Sequence, residues 1–526
     1  MKRRNSFFDE PSSCITVSQQ LRSTPDDCWD VQLKHQLSLR GAKQPLDSTF
    51  KIQHLKFLVL CAFVSLWFHS TAQQNSDNQY AKPLKEVLVN IEKKYGVKIS
   101  YKDTMVANKV VTYADWRYRN DVDETLDNVL KPFDMKVKKD GDKKYKLSTY
   151  EYYRWNVKEG WAELDRIASQ YKNVEEWEAR KNVLKPCLLD ALQLSKLPAA
   201  PKSKPIITAQ RKFDGYTVEN IAIEILDGVW INGSLYKPSS YRARLNDKVG
   251  QGRIPVILNP DGHWEKQRYR PDCQYRCAAF AKMGAMAFSY DLFAWGESML
   301  QFKYEDHRKS LSQTIQALGA IRILDYLLSL KDVDTNRVAI TGGSGAGSHT
   351  VLMTALDDRI KVSAPVVAIS SYFYGGCPCE SGMPIHACAG RTDNVEIAAM
   401  AAPRPQLLVS DGGDWTDKTP EHDFPYLQKM YSWYGRKDDV QNVHLPAEKH
   451  DFGINKRTAV YNFMAKYLNL SLKAIQDVSG KIDESKITIE NMEAMYVFGD
   501  KGEKLPSNAV KGFDNLEKVF NQAIKK

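Results

Sequence analysis

Three side chains far apart in the sequence can together carry out acyl transfer. Ser344 lies in Arg337-Val338-Ala339-Ile340-Thr341-Gly342-Gly343-Ser344-Gly345-Ala346-Gly347, an apolar run that breaks into glycines, presents one serine and continues as a helix predicted over His349 to Leu356. A serine hydroxyl is a weak nucleophile. It must stand clear of the backbone to meet a carbonyl, and a sharp strand-to-helix turn with small neighbours achieves this. The usual pattern is G-x-S-x-G; here alanine (Ala346) takes the last place, and it is small enough for close strand–helix packing. A glycine-rich phosphate loop is the competing reading of these residues alone. Such a serine also needs a base, a carboxylate to orient the base, and an oxyanion hole. His450, in Glu448-Lys449-His450-Asp451-Phe452-Gly453, follows an apolar strand and precedes the last long helix, whereas His444 falls inside that strand. Asp411, Asp414 and Asp417 compete for the carboxylate role just after Leu407-Leu408-Val409-Ser410.

The elements that must position these residues alternate strand and helix from about residue 254 onward, the signature of a mostly parallel sheet flanked by helices. Strands are predicted over Ile254 to Asn259, Ala285 to Tyr290, Arg337 to Thr341, Ile360 to Val367, Gln406 to Ser410 and Val440 to Leu445. A long helix over His307 to Leu330 precedes the serine strand, and another over Thr458 to Leu468 follows His450. Tyr216 to Leu226 alternates strictly, turns at Asp227-Gly228 and returns through Tyr236, which reads as an antiparallel entrance to the same sheet. One oxyanion donor is expected from the amide of Gly345. The other is expected from the amide of His263, beside Gly262, in Asn259-Pro260-Asp261-Gly262-His263-Trp264.

Upstream of residue 205 the chain divides further. Leu84, Val87, Leu88 and Ile91 mark a helical face, Val97 to Tyr101 alternates as a strand, and Leu126, Val129 and Leu130 mark a second helix. Met135 to Lys138 and Tyr145 to Leu147 flank a hairpin turn at Asp140-Gly141. Residues 151–204 read as a helical connector, with one helix over Trp155 to Tyr171 and a second over about Glu175 to Leu194, interrupted near Pro186. Pro198, Pro201 and Pro205 lead into a catalytic region at 205–470. Residues 471–526 read as a mixed-charge tail ending in a helix near Leu516 to Ile524.

Residues 51–73 have the form of a secretory signal peptide: Lys51 and Lys56, the apolar run Phe57 to Phe68, and the small-residue exit Ser70-Thr71-Ala72-Gln73. Twelve such residues are too few for a bilayer, which needs about 20. The position is deep in the chain, so residues 1–50 are expected to be an over-extended or disordered N-terminus. Export to an oxidising compartment, where disulfides are allowed, follows.

The 526 residues include 43% hydrophobic and 26% charged, enough for a sizeable core. The net charge of +10 is spread along the chain. No basic block with interleaved aromatics occurs, which excludes a nucleic-acid partner from the reading. Among nine cysteines, Cys377-Pro378-Cys379 with His386 and Cys388 is the tightest group. Its spacing fits no common four-ligand pattern, so neither metal nor cofactor is expected.

Two resemblances add to this. Pro83-Leu84-Lys85-Glu86-Val87-Leu88 and Thr125-Leu126-Asp127-Asn128-Val129-Leu130, in a helix–strand–strand–helix–strand–strand order, make residues 78–150 similar to the STN domain. That implies a periplasmic interaction module of a Gram-negative envelope, contacting an envelope protein. Pro260-Asp261-Gly262-His263-Trp264, Tyr290-Asp291-Leu292-Phe293-Ala294-Trp295-Gly296-Glu297-Ser298, Gly342-Gly343-Ser344-Gly345-Ala346 and Ala402-Pro403-Arg404-Pro405 followed by Gly413-Asp414-Trp415-Thr416 resemble the acetyl xylan esterase-type branch of the α/β-hydrolases. The resemblance spans about residues 175–470 and implies an α/β-hydrolase fold. It selects Asp414 as the acid beside Ser344 and His450, and it implies a carboxylic ester hydrolase that deacylates a polysaccharide such as xylan, acetyl being the expected acyl group. It also matches Gly375-Gly376-Cys377-Pro378-Cys379-Glu380 to a loop, which implies a structural role or a disulfide there. Trp264, Trp295 and Trp415 lie in the loops expected around the mouth, where aromatic faces can stack on sugar rings. A serine peptidase of the same fold, and a non-catalytic envelope protein acting through residues 78–150, are the alternatives.

Overall fold

The computed structural model describes residues 80–151, 154–239, 253–380 and 384–525. The expected signal peptide lies outside these, as does the N-terminus before it. None of the helices among the described residues is long and apolar enough to cross a membrane. The chain divides into two compact units, with the boundary after Tyr150.

The first unit is small. Helices Leu84–Tyr95 and Val122–Leu130 turn Leu84, Val87, Leu88, Ile91, Leu126 and Val129 into one core. Lys144–Thr149 pairs in parallel with Lys98–Ser100 and antiparallel with Met135–Lys139, while Lys82–Pro83 pairs antiparallel with Val110–Val111. Asp121 caps the second helix by accepting the Glu124 N–H, which satisfies one of the free donors at a helix start.

The second unit is built on a ten-stranded sheet. Its strands are β1 (Ile206–Ile207), β2 (Arg211–Phe213), β3 (Tyr216–Leu226), β4 (Val229–Pro238), β5 (Ile254–Pro260), β6 (Met286–Tyr290), β7 (Val333–Gly343), β8 (Val362–Val366), β9 (Gln406–Asp411) and β10 (Val440–Leu445). They run in the order β10-β9-β8-β7-β5-β6-β4-β3-β1, with β2 also on β3. The six strands from β5 to β10 are mutually parallel, and β1 to β4 join antiparallel. Strands β5, β6, β8 and β9 are buried at every residue. That is the condition of a sheet covered on both faces, and it explains their unbroken apolar runs. This is the α/β-hydrolase fold.

Helices α3 (Pro271–Met283) and α7 (Ile454–Leu468) cover one face of the sheet. The other face carries α1 (Val157–Ala168), α2 (Val174–Ala191), α4 (Ser312–Ser329), α5 (Gly345–Leu356), α6 (Asp423–Ser432) and α8 (Phe513–Lys525). Four local expectations change. The helix before the serine strand is a 3₁₀ turn, Tyr304–Arg308, followed by α4. The serine helix begins at Gly345 rather than His349, because the glycines form its first turn. Helix α2 runs unbroken through Pro186. Proline removes one backbone donor, but Trp177, Leu184 and Leu188 are fully buried in the core and hold the helix on both sides.

The fourth change concerns the flanking segments. Residues 151–204 are an integral layer rather than a connector: Leu164, Ile167, Tyr171 and Leu188 share the main core with β3 and β5. Residues 471–525 are likewise folded onto the sheet. Glu297 accepts the amides of Val497 at 2.9 Å and Phe498 at 2.8 Å, and Phe513, Leu516 and Phe520 are buried in the main core. Charge density in a sequence does not reveal which charges have partners on the folded body, as Glu484 and Glu490 do in Arg457 and Arg211.

One buried acid has a stability consequence. Asp423, at the start of α6, receives the Ser371 N–H at 3.2 Å and hydroxyl at 2.7 Å, and no cation among the described residues pairs with it. Burial pushes its carboxyl up to about 7. A raised folded value means that the associated stability is complete below the unfolded carboxylate range and is lost as pH rises through about 7. The full cost of ionisation is on the order of 4 kcal/mol. The amide of Asp423→Asn can accept the N–H and donate to the hydroxyl without ionising. Its melting temperature should therefore exceed that of the native protein by several degrees more at pH 8 than at pH 5, as read by thermal denaturation at both values.

Candidate active site

The carboxyl ends of β5 to β10 converge, as is usual for sites in open parallel sheets. Ser344 stands between β7 and α5 with φ 58° and ψ −128°, a region a side-chain-bearing residue enters only under constraint. Three backbone bonds hold it: the Ser344 N–H donates to Val366 O at 3.0 Å, and Ser344 O accepts the Gly347 and Ser348 N–H groups at 2.8 Å and 3.1 Å. The alanine in the glycine pattern has its counterpart across the turn. A Cβ on Gly342 would lie 2.7 Å from the Cβ of Ala346, so Ala346 is accommodated because residue 342 is glycine.

His450, in the loop between β10 and α7, places Nε2 2.9 Å from Ser344 Oγ and Nδ1 2.5 Å from Asp414 Oδ2. The carboxylate fixes the tautomer, since Nδ1–H donates to Asp414 and leaves Nε2 to accept the serine proton. Asp414 Oδ1 accepts both the amide and the hydroxyl of Thr416 at 2.6 Å. Burial alone would push the Asp414 carboxyl upward. The hydrogen bonds from His450 and Thr416 outweigh it and hold the group below its usual range.

The other two aspartates are engaged elsewhere. Asp411 ends β9 and lies 3.0 Å from Nζ of Lys456, a lysine with a fully buried side chain. Burial and the neighbouring Asp414 charge push Asp411 up, with Lys456 opposing. Asp417 accepts the Tyr372 hydroxyl at 2.5 Å. His444 stays within β10, with Nδ1 2.9 Å from Ser410 Oγ.

Around this array the three tryptophans separate. The Trp264 and Trp415 rings lie 5.5 Å and 4.6 Å from the His450 ring and flank it. Trp295 is buried with its edge against the His263 ring at 5.1 Å, so it backs a loop rather than the imidazole. The His263 loop meets the serine turn directly: a Cβ on Gly262 would stand 2.6 Å from Gly343 O and 3.1 Å from Ser344 Cβ. The His263 and Glu380 side chains lie over Gly345. Glu380 is held below its usual range. Its burial raises it, but the hydrogen bond and charge of His263 lower it further.

A cavity of about 520 Å³ opens beside His450, lined by Trp264, Arg270, Asp272, Asp451 and Phe452 among others. Arg270 stacks on Trp264 at 4.5 Å and forks onto Asp261 and Asp272, with four contacts of 2.9–3.0 Å. These bonds use four of its five N–H donors and fix the Trp264 wall. Sequence reasoning assigned no role to Glu380, Lys456, Arg270 or Thr416. Two of them carried a signal, Thr416 as the last residue of Gly-Asp-Trp-Thr and Glu380 as the last residue of Gly-Gly-Cys-Pro-Cys-Glu.

No family model matches the chain. A solved structure named Methylesterase BT1017 is 47% identical, with a TM-score of 0.74, over 85% of this chain and 99% of that one. A curated relative, acetyl esterase Axe7A of Xylanibacter ruminicola, is 26% identical over 254 residues, 45% of this chain; the chain spans about half of that relative's length, 53%. A glucuronoyl esterase from Solibacter usitatus is 19% identical with a TM-score of 0.40, over 56% of this chain and 93% of that one. With nearly half its residues identical across almost the whole of Methylesterase BT1017, the chain belongs to the same family, the acetyl xylan esterase-type carboxylic ester hydrolases of the α/β-hydrolase fold.

Proposed function

We propose that this chain is an exported serine esterase that removes small ester groups from a polysaccharide, with Ser344 as nucleophile, His450 as general base and acid, and Asp414 as the orienting carboxylate. The observation that carries the reading is the continuous path from Ser344 Oγ through His450 to Asp414, at 2.9 Å and 2.5 Å, on a turn that holds the serine apart from the backbone. His450 takes the proton of Ser344 as Oγ attacks the ester carbonyl, then returns it to the leaving alcohol. Water, activated by the same imidazole, releases the acid. The amides of Gly345 and His263 hold the oxyanion, each donor contributing about 3 kcal/mol to the transition state. Trp264 and Trp415 stack on the sugar. The N-terminal unit is read as an envelope-contact module, and export to the periplasm goes with it.

The ester itself has two forms. An acetyl ester puts the sugar on the alcohol side of the scissile bond; a methyl ester of a sugar acid puts it on the acyl side. The name of the 47% identical relative favours a methyl ester, and that of the more distant curated relative favours acetyl. The same triad serves both.

The full chain should release methanol from methyl-esterified pectin or acetate from acetylated xylan, measured side by side. Ser344→Ala should lower kcat by at least about a thousandfold. Release of neither product by a folded chain would sink the reading. Asp414→Asn should lower kcat by about 10³ to 10⁴, because the amide cannot hold the required tautomer. Asp417→Asn, whose partner is Tyr372, should stay within about threefold of the native rate. Comparable losses in these two aspartate variants would reject Asp414 as the acid.

A further inference from the structure

Beside the serine turn, where the His263 side chain lies over Gly345, four potential metal donors from three separate stretches meet. One donor atom from each of His263, His307, Cys377 and Cys379 lies within 4.8 Å of all the others, the one such group among the described residues. Two thiols and two imidazoles are the donor set of a tetrahedral zinc centre. Around zinc, bonds of about 2.3 Å to sulfur and 2.0 Å to nitrogen set the donors roughly 3.3–3.8 Å apart. His263 Nε2 already stands 3.2 Å from Cys379 Sγ.

The surroundings are those of such a centre. A ligating histidine usually gives its second nitrogen to a carboxylate or a carbonyl, which turns the first toward the metal. His263 Nδ1 faces Glu380 Oε1 at 2.7 Å, and His307 Nδ1 engages Tyr304 O, so both Nε2 atoms remain for one ion. Glu380 also accepts the Gly376 N–H at 2.9 Å, drawing the cysteine loop around the histidine. Gln316 and Gln313 of α4 hold the carbonyls of Cys379 and Glu380 at 2.7 Å and 3.0 Å. The rings of Trp295 and Tyr304 pack against the two imidazoles.

We propose that reduced Cys377 and Cys379, with Nε2 of His263 and His307, bind one zinc ion, which ties the cysteine loop and the 3₁₀ turn at Tyr304–Arg308 to the loop beside Ser344. In the structure the two sulfurs are joined as a disulfide. It links residues only two apart in sequence, so it removes little chain entropy from the unfolded state and adds little as a staple. Converting it to the zinc form takes two electrons. A dithiol reductant supplies them: the S–S bond breaks, the dithiol becomes a cyclic disulfide, and the two thiols release their protons as zinc takes both sulfurs. The zinc site does not depend on the esterase reading.

The test uses the full chain, reduced with dithiothreitol, loaded with Zn²⁺ without oxygen and freed of excess ion by gel filtration. Metal content is read by mass spectrometry, and Co²⁺ is substituted in parallel. The native chain should retain one zinc per chain, shield two cysteines from alkylation, and give with cobalt the absorption of a tetrahedral thiolate complex. Zinc affinity should fall at least about tenfold in His307→Gln and in the double variant Cys377→Ser/Cys379→Ser. If the double variant does not fold, His307→Gln decides alone, since it keeps both sulfurs. Failure of the reduced native chain to retain zinc, equal retention by His307→Gln, or reclosure of the Cys377–Cys379 disulfide in the presence of zinc would each overturn the proposal.

Discussion

Holding Ser344 in a left-handed backbone conformation, φ 58° and ψ −128°, is the constraint on which the rest of the site depends. Such a conformation costs on the order of 1–3 kcal/mol for a residue with a side chain. It persists because both neighbours are immobile. Strand β7 lies inside the sheet between β5 and β8, and every residue of α5 is buried. The Ser344 amide takes its hydrogen bond from outside its own strand, at Val366 of β8. A turn so placed holds Oγ where an imidazole from a different loop can reach it. Relaxed into an ordinary βα turn, the same residues would bury the hydroxyl or let it wander.

The electrostatic problem at the site is that two carboxylates end one strand and only one can serve the imidazole. Asp411 and Asp414 are near enough to oppose each other's ionisation, so their shifts diverge. Lys456 compensates the first and His450 the second. Lys456 also touches Asp451 at 2.9 Å and Glu448 at 3.3 Å, which ties the loop carrying His450 to the strand end carrying Asp411. A buried lysine is costly without partners. Here its three acidic partners make it the pin that sets the distance between the acid loop and the base loop.

The loop after β6 answers to a second buried network. Arg268 is fully buried and bonds Asp291 at 3.0 Å, Glu297 at 3.3 Å and Met495 O at 3.0 Å. Asn232 joins the same two carboxylates at 2.8 Å and 2.9 Å. The acids of Asp291-Leu292-Phe293-Ala294-Trp295-Gly296-Glu297 are therefore structural. They hold Trp295 against His263 and anchor the C-terminal segment through Val497 and Phe498. The residues after 471 thus bear on the site only through the loop that carries Trp295.

Local sequence was enough for the elements whose physics is local. The strand-to-helix turn at Ser344, the apolar strands of the parallel sheet, and the order serine, aspartate, histidine could all be read from spacing, because periodicity and glycine placement act over a few residues. Position along the chain left Asp411, Asp414 and Asp417 equivalent; the resemblance pointed to Asp414, and packing separates all three. Asp411 meets Lys456 and Asp417 meets Tyr372, contacts made across 45 residues of sequence in each case. Likewise the mixed charges of residues 471–526 did not disclose that Glu490 and Glu484 pair with Arg211 and Arg457, or that Arg268 bonds Met495 O. Trp295 differed from Trp264 and Trp415 only in what it packs against. Cys377-Pro378-Cys379 matched no ligand spacing because the histidines beside it arrive from residues 263 and 307, not from His386 nearby in sequence. The sequence by itself determined which elements form and which residue types can do chemistry. The tertiary structure alone decided which of them touch, because contact between residues tens to hundreds of positions apart is set by how the loops close over the sheet.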